Sequence, residues 1–505
     1  MLKIPLENIY SNKFIPPTAD WSTFSQQLNK KEFSLSKRKL LHKAIANHYR
    51  LSEITLPKNV DLLLSPNTFT VTTGHQLCLF GGPQYFIHKI VSVINTSRKL
   101  KEKHPDYNFI PCFWMASEDH DFEEISELNI FNKKIKVSGE NNRPVGKIPT
   151  NEFSSALKEL EQLFNTDPRG DYILSVFREA FKRNNWSAST TYWLANLFKD
   201  YGLVIVDADS KELKASFTSI FEKEIEEKFI YHCVNKKNKE LLTLGIKPQV
   251  NPRDLNLFYI TNGQRQRIIS ENEHFKIGEK QYSKLEILEL LKLNPENFSP
   301  NVLFRPIFQE HVLPNLAYIG GPAEISYWNQ LNIAFDAADT TFPILLLRDH
   351  FVWMKNSDLN WWESIGLSKT DLVLDFDSLV KKIILKKHAH FFNVDLELEE
   401  INTKIKTEIN AVDSSILPML NSELAKFSKG VKRIQAKLNS SAKRKDELFF
   451  SKIKKVQEVI VKDKVLVERL VSFIPIFISL EKEYLALLVK HSDPFDLSLK
   501  VLFKD

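Results

Sequence analysis

Three segments of the sequence concentrate residues that could do chemistry. The first is Thr72-Thr73-Gly74-His75-Gln76, where a β-rich run ends at a glycine and a histidine. A glycine at a strand end lets the backbone and the imidazole approach a phosphate or carboxylate closely. The alternative interpretation is that this segment is only a tight turn with a surface histidine, and we give the two interpretations equal weight. We therefore treat Gly74, His75 and Gln76 as candidates for binding or catalysis.

The second segment follows an apolar run and crowds carboxylates around a histidine. It predicts functional roles for Glu118, Asp119 and His120, with Asp121 as the N-cap of a helix. Such crowding raises carboxylate pKa values and suits acid–base work or the binding of a substrate amine. A solvated helix start is the alternative. The spacing matches no zinc or EF-hand site, so the need for a metal stays open.

The third segment contains a Gly-Gly-Pro turn between an apolar run and a helical pattern. Gly320 and Gly321 are predicted to present backbone N–H groups above the sheet, and Glu324 lies in the first helical turn. Arg305 could clamp a carboxylate or phosphate, and Arg348 is a weaker candidate because it could simply cap the last strand. The aromatic residues that follow at helical spacing are predicted to belong to the core: Tyr327 and Trp328.

Five short apolar runs indicate the fold that positions these residues. Each run stops at polar or glycine residues, as buried parallel strands do when helices cover both faces of a sheet. The pattern predicts an open α/β sheet in a core spanning 1–375, with insertions near 130–200 and 230–300. The runs are Phe69–Thr73, Phe109–Met115, Leu203–Val206, Leu316–Ile319 and Pro343–Leu347.

Residues 376–464 carry the apolar stripe of a coiled coil, with steps of three or four residues. Pro418 predicts a turn near 413–418, which makes a helical hairpin whose second arm has about 44 residues. The shorter first arm leaves apolar surface on the second, so we expect a homodimer through that arm. The basic stretch Lys432–Lys445 is predicted to be its solvated face, with a phosphate site as the alternative. The tail, 465–505, is predicted to pack on the core.

Composition narrows the class of protein. The chain has 505 residues and a net charge of +6, a weak bias that does not argue for nucleic acid. Its three cysteines form no CxxC pair, which fits a reducing compartment. No signal peptide is evident, and the most apolar stretch, Val471–Leu480, is too short to span a membrane. We expect a cytoplasmic protein without membrane partners.

Taken together, the three segments resemble the cysteine ligase of bacillithiol biosynthesis, the cysteine-adding enzyme of that pathway. The resembling stretches are TTGHQLCLFGGPQYFIHKI at 72–90, FWMASEDHDFEEI at 113–125 and SPNVLFRPIFQEHVLPNLAYIGGPAEISYW at 299–328. The resemblance implies a Rossmann-like core related to nucleotidyltransferases and class I aminoacyl-tRNA synthetases, and a C-terminal coiled coil that makes a dimer. It also implies a reaction that joins the carboxyl of cysteine to the amine of glucosaminyl-malate.

Within that hypothesis, Asp119 or Glu324 would hold an amine and His120 would move the proton off it, while Arg305 and Arg348 would clamp malate carboxylates. Gly74-His75 matches only the last two letters of the superfamily's HIGH motif, and no KMSKS-like sequence is present. Chemistry still requires activation of the carboxyl, so we expect ATP. Two alternatives remain: a metal-dependent hydrolase using the Glu118–His120 cluster with His75, and an adaptor that works through its coiled coil.

Overall fold

The computed structural model describes residues 1–10, 19–131, 133–139, 141–165, 167–271, 274–387 and 394–504. Parts of the predicted N-terminal helical region (11–18) and of the predicted coiled coil (388–393) lie outside the described residues. The chain divides into two compact units. One comprises Tyr10–Phe351 and Glu468–Lys500, and the other comprises Met1–Ile9, Val352–Val467 and Val501–Asp505.

The N-terminal segment is mostly helical because its apolar residues recur at helical spacing behind good caps. It contains β1 (Leu2–Pro5), α1 (Glu7–Tyr10), α2 (Trp21–Lys30) and α3 (Leu35–Leu51). Asp20 caps α2 by accepting from Thr23 N at 3.1 Å, and Ser34 caps α3 by accepting from Lys37 N at 3.3 Å.

A β-α-β unit opens the parallel sheet. It consists of β2 (Thr68–His75), α4 (Tyr85–Lys103) and β3 (Asn108–Met115). The two strands pair in parallel from Thr68 opposite Asn108 to His75 opposite Met115. His75 and the residues after Met115 therefore leave the sheet at the same carboxyl edge.

A first insertion follows β3 and leads to the third strand of the sheet. Its elements are α5 (Phe122–Ile125), β4 (Glu127–Ile130), β5 (Lys133–Lys136), α6 (Ser154–Phe164), α7 (Asp171–Ala180) and α8 (Trp186–Leu197), before β6 (Val204–Asp207).

A second insertion carries a separate antiparallel sheet, with strand order β10-β9-β8-β7-β11. Its elements are α9 (Lys211–Ser216), α10 (Thr218–Glu227), α11 (Phe229–Thr243), β7 (Leu257–Thr261), β8 (Gln264–Glu271), β9 (His274–Ile277), β10 (Lys280–Ser283), α12 (Lys284–Leu293) and β11 (Phe298–Pro300).

The chain then completes the parallel sheet with α13 (Arg305–Val312), β12 (Asn315–Gly320), α14 (Pro322–Trp328), α15 (Asn332–Ala337) and β13 (Ile344–Leu347). The strand order is β13-β12-β2-β3-β6, and all four neighbouring pairs are parallel. The five apolar runs are these five strands, so the predicted Rossmann-like open sheet is confirmed. The order in which strands are added reverses between β2 and β12, because β3 and β6 lie on one side of β2 while β12 and β13 lie on the other, and ligands of such sheets bind at that switch point.

One face of the sheet is closed by an apolar core that also includes α2 and α4. The buried side chains of this core are Phe24, Leu28, Phe69, Val71, Val93, Leu100, Leu316, Ala317, Ile319, Ile344 and Leu346. This core packs against one face of the sheet and holds the strands in place, so the polar residues at their carboxyl ends extend from a rigid sheet.

The remaining elements are β14 (His350–Lys355), α16 (Asn356–Ser364), α17 (Phe376–Lys387), α18 (Val394–Val412), α19 (Leu417–Lys445), α20 (Glu447–Gln457), β15 (Val461–Lys462), β16 (Val465–Leu466), α21 (Ile474–Leu480), α22 (Lys482–His491) and β17 (Ser498–Lys504). β1, β17 and β14 form a three-stranded sheet in that order.

The helical hairpin turns where Pro418 indicates, because this proline occupies the first turn of α19 and Asp413 accepts from Ser415 N at 2.9 Å in the connection. The second arm differs from the expected single helix of about 44 residues. Its helix ends at Lys445, Asp446 leaves helical geometry with a ψ of 42°, and α20 begins at Glu447.

Candidate functional site

A cavity of about 620 Å³ lies at the carboxyl edge of the parallel sheet. Most of the residues selected from the sequence line it, although they come from distant parts of the chain. Gly320 ends β12 immediately beside the cavity-lining Gly321. The lining candidates are Gly74, His75, Gln76, Glu118, Asp119, His120, Arg305, Gly321, Glu324 and Arg348.

A buried ion pair spans the switch point. Lys89 Nζ on α4 lies 2.6 Å from Glu324 Oε2 on α14 and donates to the carbonyl of Gly74 at 2.6 Å. Glu324 also accepts from Tyr318 Oη and from Gly321 N, each at 2.8 Å. Burial alone would raise the pKa of Glu324, but Lys89 and the Gly321 N–H hold that pKa at about 2. Glu324 is therefore an ionised carboxylate that is already occupied by protein donors.

His75 is held as a neutral ring. Its Nδ1 lies 3.0 Å from the Gln76 carbonyl, and its Nε2 lies 2.9 Å from Tyr85 Oη. Burial, with Lys89 adding to it, lowers the pKa of His75 to about 4. The carbonyl can only accept, so Nδ1 carries the proton and Nε2 accepts from Tyr85. Cys78 Sγ lies 3.6 Å from Nδ1, and burial raises the pKa of that thiol to about 12.

The backbone of 117–120, which carries the acidic cluster, is held by main-chain hydrogen bonds from the antiparallel segment 142–146. The N–H groups of Asn142, Val145 and Gly146 donate to the carbonyls of His120, Asp119 and Ser117 at 3.2, 2.8 and 2.8 Å. A Cβ on Gly146 would lie 2.6 Å from Ser117 Cβ, so the close approach requires glycine. Asp121 occupies the N-cap position of α5 as predicted, but its side chain makes no capping hydrogen bond.

The three side chains of the acidic cluster turn to different partners. Glu118 pairs with the buried Lys214, and burial raises the pKa of the Glu118 carboxyl. Asp119 accepts from Gln76 Nε2 at 2.7 Å, while Arg265 Nη1 lies 2.9 Å from His120 Nδ1. They do not converge on a common point. Among the described residues, no group of three or more His, Cys, Asp or Glu side chains could hold a metal ion.

Both predicted arginine clamps are engaged with protein acceptors. Arg305 donates to Gln309 Oε1 at 2.9 Å and to Tyr327 Oη at 3.1 Å. Arg348 donates to Glu468 Oε1 at 2.7 Å and to the Asp349 carbonyl at 2.9 Å. The buried Nε of Arg348 has no hydrogen-bond partner among the described residues. Arg348 thus does more than cap a strand, because it anchors Glu468.

Glu468 gathers four donors at the back of the site. Besides Arg348, its carboxylate contacts His88 Nδ1 at 2.8 Å, His350 Nδ1 at 2.7 Å and Phe351 N at 3.1 Å. These contacts hold the pKa of Glu468 well below its usual range, against the opposing effect of burial. The carboxylate is fully buried and ionised, and it belongs to the tail of the chain.

Several site residues escaped the sequence analysis. Tyr327 and Trp328 are both buried, as predicted for core aromatics, but Tyr327 also accepts a hydrogen bond from Arg305 through its hydroxyl and lines the cavity. Lys89 could have been identified from the sequence, because it is a charged residue within an otherwise apolar helix face. No sequence pattern marked the other cavity-lining residues that were missed, which are Tyr85, Arg253, Phe258, Arg265, Arg267, Tyr318 and Arg469.

Taken together, the fold and the cavity define a Rossmann-like α/β protein with a cavity at its switch point that the second insertion helps to line. Family comparison is more specific. The BshC N-terminal Rossmann-like domain of bacillithiol biosynthesis matches residues 5–349, and the BshC C-terminal coiled-coil domain matches residues 352–504. The chain belongs to the BshC family, and the predicted α/β core with a coiled coil is thereby confirmed.

Curated relatives agree with this assignment. A protein of Flavobacterium johnsoniae named "Putative cysteine ligase BshC" is 34% identical over 99% of this chain and 95% of its own length. Relatives with the same name are 35% identical in Flavobacterium psychrophilum, over 91% and 88%, and 35% identical in Christiangramia forsetii, over 94% and 90%. Within the described residues, no helix combines the length and the apolar character needed to cross a membrane.

Proposed function

We propose that this protein is a cysteine ligase that joins the carboxyl of cysteine to the amine of glucosaminyl-malate, which forms an amide in the last step of bacillithiol synthesis. Membership of the BshC family, together with a cationic cavity at the switch point of the sheet, is the observation that carries the proposal. Both substrates carry carboxylates, and the cavity supplies the complementary charge.

The cavity has more cationic than anionic side chains. Its carboxylates are Glu118, Asp119, Glu124 and Glu324, and two of them are already paired with lysines. Its cationic side chains are Lys89, Arg253, Arg265, Arg267, Arg305, Arg348 and Arg469. A surplus of guanidinium groups in a concave site favours carboxylates and phosphates. Arg305 and Arg348 remain our candidates for the malate carboxylates, and the exposed Arg253, Arg267 and Arg469 join them.

Asp119 is the better candidate for holding a substrate amine. Glu324 is already paired with the Lys89 ammonium, whereas Asp119, among the described residues, accepts hydrogen bonds only from neutral donors, which are Gln76 Nε2 and the N–H groups of His120 and Asp121, and it lies on the cavity wall. Gln76 Nε2 donates to Asp119 at 2.7 Å and to Glu124 at 3.3 Å, so one neutral amide group lies between the two carboxylates. The proposal places the amine against Asp119, with Gly74, His75 and Gln76 facing the carboxyl or phosphate.

The proposal includes ATP because the carboxyl group of cysteine must be activated before it can form an amide. A free carboxylic acid does not form an amide without activation, and the cationic surplus of the cavity fits a triphosphate. The same proposal places the enzyme in the cytoplasm, because Cys78, Cys112 and Cys233 are all free thiols.

The test is direct. Purified protein receives cysteine, glucosaminyl-malate and ATP, and the cysteinyl amide is sought by mass spectrometry, with His75→Ala and Asp119→Ala as variants expected to be folded but inactive. Absence of product under varied nucleotides and metals, together with failure to restore a bacillithiol-deficient cell, would defeat the proposal.

We further propose that the protein is a homodimer joined through α19. This helix exposes large apolar side chains that recur on one face: Phe427 at 54%, Ile434 at 63% and Leu438 at 42% exposure. A second copy of the same face is the simplest cover, because closed two-fold dimers are the commonest oligomers.

A further inference from the structure

Arg265 connects the second insertion to the acidic cluster. It lies on β8 and is 8% exposed. Its Nε donates to Ser299 Oγ at 2.9 Å, its Nη2 donates to the Pro300 carbonyl at 2.7 Å, and its Nη1 lies 2.9 Å from His120 Nδ1. The ring of Phe258 lies beneath the guanidinium, 4.0 Å from its carbon. These contacts fix the guanidinium group of Arg265, and an N–H group on its Nη1 points at His120 Nδ1.

This contact determines where His120 carries its proton. A guanidinium has five N–H donors and no acceptor, so Nδ1 of His120 must be the acceptor. The ring is then neutral, with its proton on Nε2. The same ring packs on Phe258 with centroids 5.2 Å apart and lines the cavity. Among the described residues, none accepts a hydrogen bond from Nε2, so this donor remains for a ligand.

The charged groups around His120 have opposing effects on its pKa. Asp119 Oδ1, 3.8 Å from Nδ1, and Asp121 favour a charged ring, whereas Arg265 and Arg267 oppose it. With burial as the largest cause and Arg265 the next, the pKa of His120 falls below its ordinary value. The main chain reinforces the arrangement, because Arg265 N donates to the Asn142 carbonyl at 2.7 Å and Asn142 N donates to the His120 carbonyl at 3.2 Å.

We propose that Arg265 is a positioning residue that holds His120 as a fixed, neutral hydrogen-bond donor, so that His120 meets an oxygen of the substrate through Nε2–H rather than accepting a proton. The assignment rests on the proposed ligase function and revises the proton-moving role expected for His120. A donor at this place fits an acyl oxygen that gains negative charge as an amine attacks, which is where preorganised donors are most effective.

The first experiment needs no turnover. Protein with ¹⁵N-labelled histidine is titrated by NMR, with His120→Gln used to assign the ring. At neutral pH we expect an unprotonated Nδ1 and a protonated Nε2. Arg265→Met should mix the two tautomers and raise the pKa of His120 by roughly one unit, since Asp119 remains nearby. Arg267→Met removes an equal charge from the same strand without removing the hydrogen bond, and should preserve the tautomer.

The second experiment tests whether the His120 ring acts as a hydrogen-bond donor in the reaction. A donor role predicts that Arg265→Met lowers kcat with little change in KM, because the interaction strengthens only as charge develops. It also predicts that His120→Gln, whose amide can donate, retains clearly more activity than His120→Ala. A protonated Nδ1 in the wild type, an unchanged tautomer in Arg265→Met, or equal loss in Gln and Ala variants would overturn the proposal. An inactive protein with the expected tautomer would count against the ligase function alone.

Discussion

Lys89 Nζ and Glu324 Oε2 lie 2.6 Å apart, and they come from the two helices that leave the sheet on either side of its switch point. Lys89 is almost completely buried, at 2% side-chain exposure. The pair therefore joins the walls of the cavity by an interaction that water screens weakly. It also holds the Gly74 carbonyl through the same ammonium group.

Replacing Lys89 by Met should destabilise the protein by roughly 3 kcal/mol and abolish ligation, because Glu324 keeps its charge without its partner. The double variant Lys89→Met/Glu324→Gln should recover most of the stability, since both charges are then gone, but not the activity. Urea unfolding and the ligation assay measure the two effects. A single variant within about 1 kcal/mol of the wild type, which is the typical effect of any point mutation, would contradict the expected cost.

His75 should make the protein sensitive to acid. Its pKa of about 4 lies below the ordinary histidine value of about 6.5, so the unfolded chain gains a proton first as pH falls. The stability contributed by the neutral ring is complete above about pH 6.5 and is lost towards pH 4, at about 1.4 kcal/mol per pH unit. Unfolding free energies at pH 6.5 and 4.5 should therefore fall by roughly 2 kcal/mol less in His75→Gln than in the wild type. Parallel curves for the two proteins would refute the assignment.

Gly146 should tolerate no side chain. Its added Cβ would lie 2.6 Å from Ser117 Cβ and 3.1 Å from the Ser117 carbonyl, so Gly146→Ala pushes on the backbone that carries Asp119 and His120. We expect a loss of about 1–3 kcal/mol in stability and roughly tenfold or more in kcat. Gly430→Ala is the matched control. It adds a methyl group to α19 with nothing within 4 Å and should stabilise by about 0.5–1 kcal/mol.

The apolar face of α19 should set the oligomeric state. Replacing Val431, Ile434 and Leu438 by Glu places charges in the proposed interface and should give monomers by light scattering at micromolar concentration. The control replaces Lys429 and Arg433 by Glu, which alters charge away from that face and should leave dimers. A monomeric wild type would rule out the dimer outright.

The sequence predicted the parallel strands well because each strand is a short apolar run with a sharp polar end. Gly74, Asp119 and Glu324 were expected at the carboxyl edge, and the structure brings them to one cavity. This part of the site follows from topology alone, since the ends of parallel strands meet at one edge.

The partners of those residues were not predictable in the same way. Arg265 reaches His120 across 145 residues of sequence, and Lys214 reaches Glu118 from another element of the second insertion. Such pairs depend on how an insertion folds over the sheet, which no local pattern encodes. The interruption at Asp446 is similar, because the apolar spacing continues through it and predicts a longer helix than the structure contains.

The carboxylate of Glu468 has a consequence for how the protein is made. Arg348 and His350 are synthesised more than a hundred residues before Glu468, with separations of 120 and 118. A nascent chain that has emerged only as far as the last parallel strand must keep Arg348 hydrated, since burying it without a counter-ion is costly. The candidate site therefore cannot reach its final form until the ribosome has passed the coiled coil. A frameshift within the coiled coil would remove Glu468 and leave Arg348 and His350 without this carboxylate.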